Sequence, residues 1–221
     1  MAKTRNIPRY VIGDIHGRPF WKSYIKKEYS EFYFTGDYFD SFDIPFSGQY
    51  ANFMEICKEA RADNRIKLCL GNHDYHYLEG VHNQYYSGFQ DTNSKKISTV
   101  LEENMDLFKI VYTTEDNYII SHAGVTSWFL ASIEGTKPDD INHAFYKDRN
   151  ILFFNGHNIY GDDITQSPIW VRPASLERNH VPGYNQIVGH TPVREIHEFV
   201  LEDGVKIVLI DTHNTASIYR F

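Results

Sequence analysis

Six side chains well suited to binding metal stand at the ends of five short blocks: Asp14 and His16 in GDIHG, Asp37 in GDYFD, Asn72 with His73 behind it in GNHD, His122 in SHAG, and His190 in VGHTP. Together they offer oxygen and nitrogen ligands for two metal ions. The mixture of carboxylate, amide and imidazole suits manganese, iron or zinc better than an all-oxygen calcium cage, and no thiolate is among them. Two cations held close together lower the pKa of water and clamp the oxygens of the group it attacks, so the chemistry on offer is metal-assisted hydrolysis.

Ligands so scattered along a chain must be gathered by its secondary structure. Each block follows a run rich in β-branched, aromatic and aliphatic residues (RYVIG, EFYFTG, RIKLCLG, NYIISH, NQIVGH), and such runs read as buried strands. A glycine in or after the run lets the chain turn sharply, which puts the polar residue just past the strand end, the edge where open sheets bind ligands. A single His or Asp in such a place is an ordinary turn residue; five blocks in order are not.

The first seventy residues read as βαβαβ: strands Arg9 to Ile12, Phe32 to Thr35 and Ile66 to Leu70, with helices from Pro19 to about Tyr29 and from about Gln49 to Ala62. Proline at a first helical turn supports the start at Pro19. A polar, aromatic segment from Tyr75 to Asp91 is expected to overhang the site. A helix follows over Ser94 to Leu107, then strands Lys109 to Thr113 and Tyr118 to Ser121, and helices near Ser127 to Ile133 and Asp140 to Tyr146. The stretch from Asn150 to Gly183, rich in Gly, Asn, Asp and Pro, reads as a long loop, and strands dominate from Ile187 onward. This alternation predicts an α/β protein with two packed sheets flanked by helices.

Composition narrows the class. The 221 residues can bury a sizeable core, and the interleaving of the motifs argues for one domain over residues 1–221. The formal charge of -7 and the lack of a basic run disfavour strong nucleic-acid binding. No apolar signal segment opens the chain and no run approaches membrane-spanning length, so no membrane association and a cytoplasmic location are expected. Cys57 and Cys69 sit in helical and strand patterns and read as reduced core residues.

The blocks resemble those of the calcineurin-like metallophosphatases, and within them the bacterial and phage serine/threonine phosphoprotein phosphatases of lambda type. GDIHG, GNHD and GHTP carry the resemblance, joined by IDT at Ile210 to Thr212 and by IWVRP at Ile169 to Pro173. It implies the four-layer α/β/β/α sandwich of two mixed sheets. It also implies a ligand set: Asp14, His16 and Asp37 around a first divalent metal, manganese foremost with iron or zinc as alternatives, and Asp37, Asn72, His122 and His190 around a second. Asp37 would bridge, as a carboxylate with two oxygens can. By the same resemblance His73 is the general acid that protonates the leaving oxygen and Asp40 the carboxylate that orients it.

One departure stands out. The family pattern continues GDxxDR, and its Arg grips the substrate phosphate; here Asp40 is followed by Ser41, which cannot offer a bidentate guanidinium. Arg172 matches another phosphate-gripping Arg of the family. Arg18, directly after GDIHG, is a candidate substitute or a surface residue, and the helix start beside it would offer N–H groups to an anion. His213 stands where the family commonly has Gly, and would contact substrate or merely replace a turn glycine. His76, His82, His143, His157, His180 and His197 match no motif and read as surface or loop residues. Tyr38, Phe39, Tyr75 and Tyr77 would line the cleft or fill the core, with core packing the plainer reading.

The resemblance implies a phosphomonoesterase of protein-phosphatase type acting on a phosphoprotein or a small phosphoester. Ser41 keeps a phosphodiesterase or a dinucleoside polyphosphate hydrolase in view. A catalytically silent metal-binding scaffold would call for a damaged site, and every ligand, His73 and Asp40 are present.

Overall fold

In the computed structural model, which describes residues 7–25, 29–82, 85–154, 162–213 and 217–221, two five-stranded mixed sheets lie face to face. In the first, β1 (Arg9–Ile12), β2 (Glu31–Phe34), β3 (Ile66–Cys69) and β4 (Phe108–Lys109) run parallel, and β10 (Ile218–Arg220) pairs antiparallel with β1. In the second, β6 (Tyr118–Ser121), β7 (Asn185–Val188) and β9 (Lys206–Leu209) are parallel, with β5 (Val111–Thr113) and β8 (His197–Val200) antiparallel at the edges.

The two-residue period of the strands explains the layers. Val11, Tyr33 and Cys69 point from the first sheet onto Ile120, Ile187 and Val208 of the second, a buried seam between the sheets. Tyr10, Ile12, Phe32, Phe34 and Leu68 point the other way, onto Phe53, Ile56 and Cys57 of α1 (Phe46–Ala62). On the outer face of the second sheet Val188, Ile207 and Leu209 are covered by Leu176 of α6 (Pro173–Arg178). The result is the expected α/β architecture of two mixed sheets flanked by helices. Both cysteines are buried free thiols. No helix among the described residues is long and apolar enough to cross a membrane.

Four expected elements differ. In place of a helix from Pro19 to Tyr29 there is a 3-10 turn, Phe20–Ser23, in which Trp21 is buried and its Nε1 donates to Asn52 Oδ1 at 3.0 Å; residues 26–28 lie outside the described set. Trp21 is fully buried, and Phe20, Tyr24 and Ile25 pack partly against the same core. The strand expected at Lys109 to Thr113 breaks at Ile110 and serves both sheets, because Asn142 of α5 (Asp140–Lys147) accepts the N–H groups of Ile110 and Val111 in place of a neighbouring strand. The helix begun at Ser94 ends at Glu103 as α3, where the Asn104 side chain donates to the Val100 carbonyl at 2.8 Å, and a 3-10 turn follows. Within the expected loop from Asn150 to Gly183, α6 begins with Pro173 at its first turn; residues 155–161 are outside the described set.

Candidate active site

The carboxyl ends of six parallel strands meet at one edge of the two sheets. β1, β2 and β3 release Asp14, Asp37 and Asn72, while β6, β7 and β9 release His122, His190 and Asp211. Asp14 of the first sheet accepts the His190 backbone N–H of the second at 3.0 Å, which ties the two halves together. Two glycines make the approach possible. A Cβ on Gly189 would collide with Asp14 Oδ1, and one on Gly71 with Asp37 Oδ1. His16, Asp37, Asp40, His190 and His213 all hold positive φ, between 40° and 61°, the strained backbone that clusters at working sites.

Four acceptors then face one another. His122 Nδ1 lies 3.0 Å from the Thr35 carbonyl and must donate to it, so Nε2 is left as a bare lone pair. His190 Nε2 likewise donates to the Trp170 carbonyl at 3.2 Å, leaving Nδ1 bare. These two lone pairs lie 3.2 Å apart, and the Asn72 Oδ1 stands 2.8 Å from the first and 3.0 Å from the second. Asp37 Oδ2 is 3.5 Å from His122 Nε2. Acceptors with no proton between them repel unless a cation joins them, so this donor set fits a divalent metal. On the other side of Asp37, His16 Nδ1 donates to the Phe39 carbonyl at 2.6 Å and turns Nε2 toward Asp37 Oδ2 at 3.7 Å. Asp14, Asp37 and His122 bring ligand atoms close enough to share an ion.

Electrostatics agrees. Burial, then the nearby His73, holds the His16 imidazole down to about 4, and burial holds His122 and His190 well below the usual histidine range, so all three are neutral ligands at physiological pH. Burial pushes the carboxyls of Asp14 and Asp37 up, with Asp211 adding to the pressure on Asp14 and Asp14 to that on Asp37. Carboxylates crowded together in this way are stabilised by bound cations.

His73, the second residue of α2 (Asn72–Tyr75), stands at the wall of the same cleft. Its backbone N–H donates to Asp37 Oδ1 at 2.9 Å, and its Nδ1 lies 3.0 Å from Asp40 Oδ2. Asp40 is buried, which by itself would raise its carboxyl, yet the imidazoles of His73 and His76 outweigh that and hold it below the usual range. His76 therefore is not a surface residue. Its side chain is fully buried, with Nε2 2.7 Å from Asp40 Oδ2. His82, His143 and His197 are exposed and His180 half-buried beside Asp203, away from the site, while His157 lies outside the described residues.

Tyr38, Phe39, Tyr75 and Tyr77 are core residues; the cleft aromatics are instead Phe42, Tyr86 and Trp170. The segment after GNHD reaches the cleft through Tyr86 and Ser87, as an overhang should. Asp74, the last residue of GNHD, is a functional residue that the metal-ligand pattern does not reveal. Fully buried, it accepts the backbone N–H groups of Asp37, Tyr38 and Gly71 at 2.8, 2.8 and 3.0 Å, binding the second block to the third; burial pushes its carboxyl up to about 7 against those donors. A carboxylate three residues after a turn glycine is the signal that could have found it.

Arg18, Arg172, Ser41 and His213 line this cleft of about 400 Å³ together with the acidic and imidazole groups. Arg172 donates to the His190 carbonyl and to Thr191 Oγ1, both at 3.2 Å, so its guanidinium is held at the metal-side wall. Ser41 Oγ donates to Asp43 Oδ1 at 2.7 Å, and the same oxygen takes Arg18 at 2.9 Å, so a guanidinium from the first block stands near the position that lacks one. The short turn that follows Arg18 has no α-helical N-terminus to offer an anion. His213 holds φ of 61°, the backbone a glycine would take, and keeps its ring exposed at the cleft mouth.

Donor groups crowded around Asp37, an imidazole paired with a carboxylate, and two guanidiniums in one cleft suit the metal-dependent hydrolysis of phosphoesters. The chain belongs to the calcineurin-like phosphoesterase family, whose model matches residues 7–213. No curated protein matches its sequence. Among solved structures it is similar to a cold-active protein-tyrosine phosphatase from a psychrophilic Shewanella species, with 16% identity, a TM-score of 0.58, and coverage of 93% of this chain and 71% of that one. It is also similar to a protein serine/threonine phosphatase from Saccharomyces cerevisiae (16% identity, TM-score 0.59, coverage 94% and 68%). A chain provisionally described as a diadenosine tetraphosphatase is a third (17%, 0.53, 95% and 85%). At such identities these are likenesses of fold.

Proposed function

We propose that this protein is a phosphomonoesterase of protein-phosphatase type. Asp14, His16 and Asp37 hold one divalent cation, Asp37, Asn72, His122 and His190 hold a second, and manganese is the first metal to test. The observation that carries the reading is the convergence of bare acceptors from His122, His190, Asn72 and Asp37 beside the His73–Asp40 pair. When bound, the cations lower the pKa of water and offset the charge of the phosphoryl oxygens. Arg172 and Arg18 bind and orient that group, and two guanidiniums suit a dianionic monoester better than a monoanionic diester. Asp40 holds His73 Nδ1, so the Nε2 proton passes to the leaving oxygen as the ester bond breaks. The cleft takes a phosphorylated side chain or a small phosphoester.

A second reading, hydrolysis of a diester or a dinucleoside polyphosphate, is favoured by Ser41 and by one further feature. Beside Arg172 opens a cavity of about 700 Å³ walled by Tyr86, Phe154 and Trp170, aromatic surfaces on which a base could stack. The test compares p-nitrophenyl phosphate with bis(p-nitrophenyl) phosphate on manganese-loaded protein, with His73→Asn alongside. Monoester preference that falls about 100-fold to 10,000-fold in His73→Asn, with metal content retained, is expected. Diester preference selects the second reading, and turnover unchanged in His73→Asn removes His73 from its role.

A further inference from the structure

Two histidines share one carboxylate oxygen. Asp40 Oδ2 meets His73 Nδ1 at 3.0 Å and His76 Nε2 at 2.7 Å, while Oδ1 takes the Tyr77 hydroxyl at 2.6 Å and Gln90 Nε2 at 3.4 Å. The far side of the His76 ring faces the Tyr86 backbone N–H, 3.4 Å from Nδ1, so the ring proton sits on Nε2 and points at the carboxylate side. That contact is short but off the line of a well-aligned hydrogen bond, and His76 Nε2 has no other acceptor among the described residues. The ring is also fixed in place. It stacks on Tyr86 at 5.0 Å with planes 14° apart, and meets Phe89 and Tyr77 edge-on at 4.9 and 4.3 Å.

Apart from His73, these partners come from the stretch between Tyr75 and Asp91, the segment that overhangs the site. A carboxylate touched by one imidazole can rotate about its last bond and present either oxygen. One gripped at both oxygens by side chains locked in a packed cluster has a single orientation, and it passes that orientation to whatever else it holds.

We infer that His76 is a positioning residue: with Tyr77 it fixes the plane of Asp40, and through Asp40 it fixes the ring of His73 against the leaving oxygen. The inference rests on the reading of His73 as general acid. His76 itself is buried and does not line the cleft.

The test uses the full, manganese-loaded protein and a series of phosphomonoesters with leaving groups of rising pKa: p-nitrophenyl, phenyl and an alkyl phosphate. Proton donation matters more as the leaving group worsens. His76→Leu is expected to lower kcat by about 10- to 100-fold on the poorer leaving groups and by less on p-nitrophenyl phosphate, with KM and metal content held. His76→Gln, whose side-chain N–H can reach Asp40, is expected to recover most of that loss. In a His73→Asn background, His76→Leu is expected to cost nothing further. A loss of the same size on every leaving group, or one that persists in the His73→Asn background, assigns His76 to structure alone and overturns the inference, as does unchanged turnover. Should His76→Leu fail to fold, His76→Asn, with an N–H too short to reach Asp40, replaces it in the comparison with His76→Gln. If the loss caused by His73→Asn is the same on every leaving group, the general-acid reading is what fails, and this inference falls with it.

Discussion

Four aspartates at one sheet edge serve different purposes, and their neighbours decide which. Asp14 and Asp37 face other carboxylates and bare imidazole nitrogens, Asp40 faces N–H and O–H donors, and Asp74 faces only backbone N–H groups. Asp37 Oδ2 lies between the His16 and His122 sides, so Asp37→Asn is expected to empty both metal positions; full occupancy by elemental analysis would refute the bridge. The histidines set a pH limit. His16 has a folded pKa of about 4 against 6.5 when free, so between those values the unfolded chain binds a proton that the folded one does not. Stability therefore rises with pH through that window and is lost as pH falls from 6.5 toward about 4, and His122 and His190 add to the effect in the same direction. Asp14 and Asp37 oppose it in metal-free protein because burial raises them, but bound cations keep them ionised. The melting temperature of metal-loaded protein is expected to fall over this range, and a flat profile would contradict the assignment of neutral imidazole ligands.

At the scale of elements, α2 is four residues long and has too few internal hydrogen bonds to stand on its own. Asp74 holds it to the loop after β2 through the backbone N–H groups of Asp37 and Tyr38, and caps its own start through that of Gly71. Asp74→Asn places an amide NH₂ where one carboxylate oxygen accepted, and is expected to cost about 2–4 kcal/mol, read by chemical denaturation. Asp74→Ala removes the clash but also the acceptors, and is expected to fall in the same range. A loss under about 0.5 kcal/mol for both, the size of an ordinary surface change, would show that the clamp is not needed. Gly189 is the equivalent weak point of the second sheet, since a methyl group there meets Asp14.

The whole molecule places the site on the seam between two sheets, and the proposed second set, Asp37 and Asn72 with His122 and His190, draws on both. Ile187 sits in that seam, while Ile56 of α1 packs on the outer face of the first sheet. Ile187→Ala and Ile56→Ala are each expected to destabilise by about 2–5 kcal/mol. Only the first is expected to weaken manganese binding, because it loosens the register of Asp14 and Asp37 against His122 and His190. Titration of the two variants under conditions where both remain folded checks this, and equal metal affinity would show that the sheets are held at the ligands and not by the core between them.

Residue type and spacing alone determined the metal-binding blocks, the strands before them and the α/β class, because strand burial and turn chemistry act over a few neighbouring residues. β1 and β6 were readable to the residue, and the resemblance of the blocks led to His73, Asp40 and Arg172, all of which line or touch the cleft. Only the tertiary structure decided that Ile110 divides one apolar run between two sheets, that Arg18 stands beside Asp43 near the missing guanidinium, and that Tyr38 and Phe39 are core. The same holds for His76. A lone histidine in a polar, aromatic stretch looks like any surface histidine, and what sets it apart is a carboxylate 36 positions earlier in the chain, brought to 2.7 Å by the packing of the whole sheet edge. Contacts of that range depend on how every layer stacks, and no local pattern encodes them.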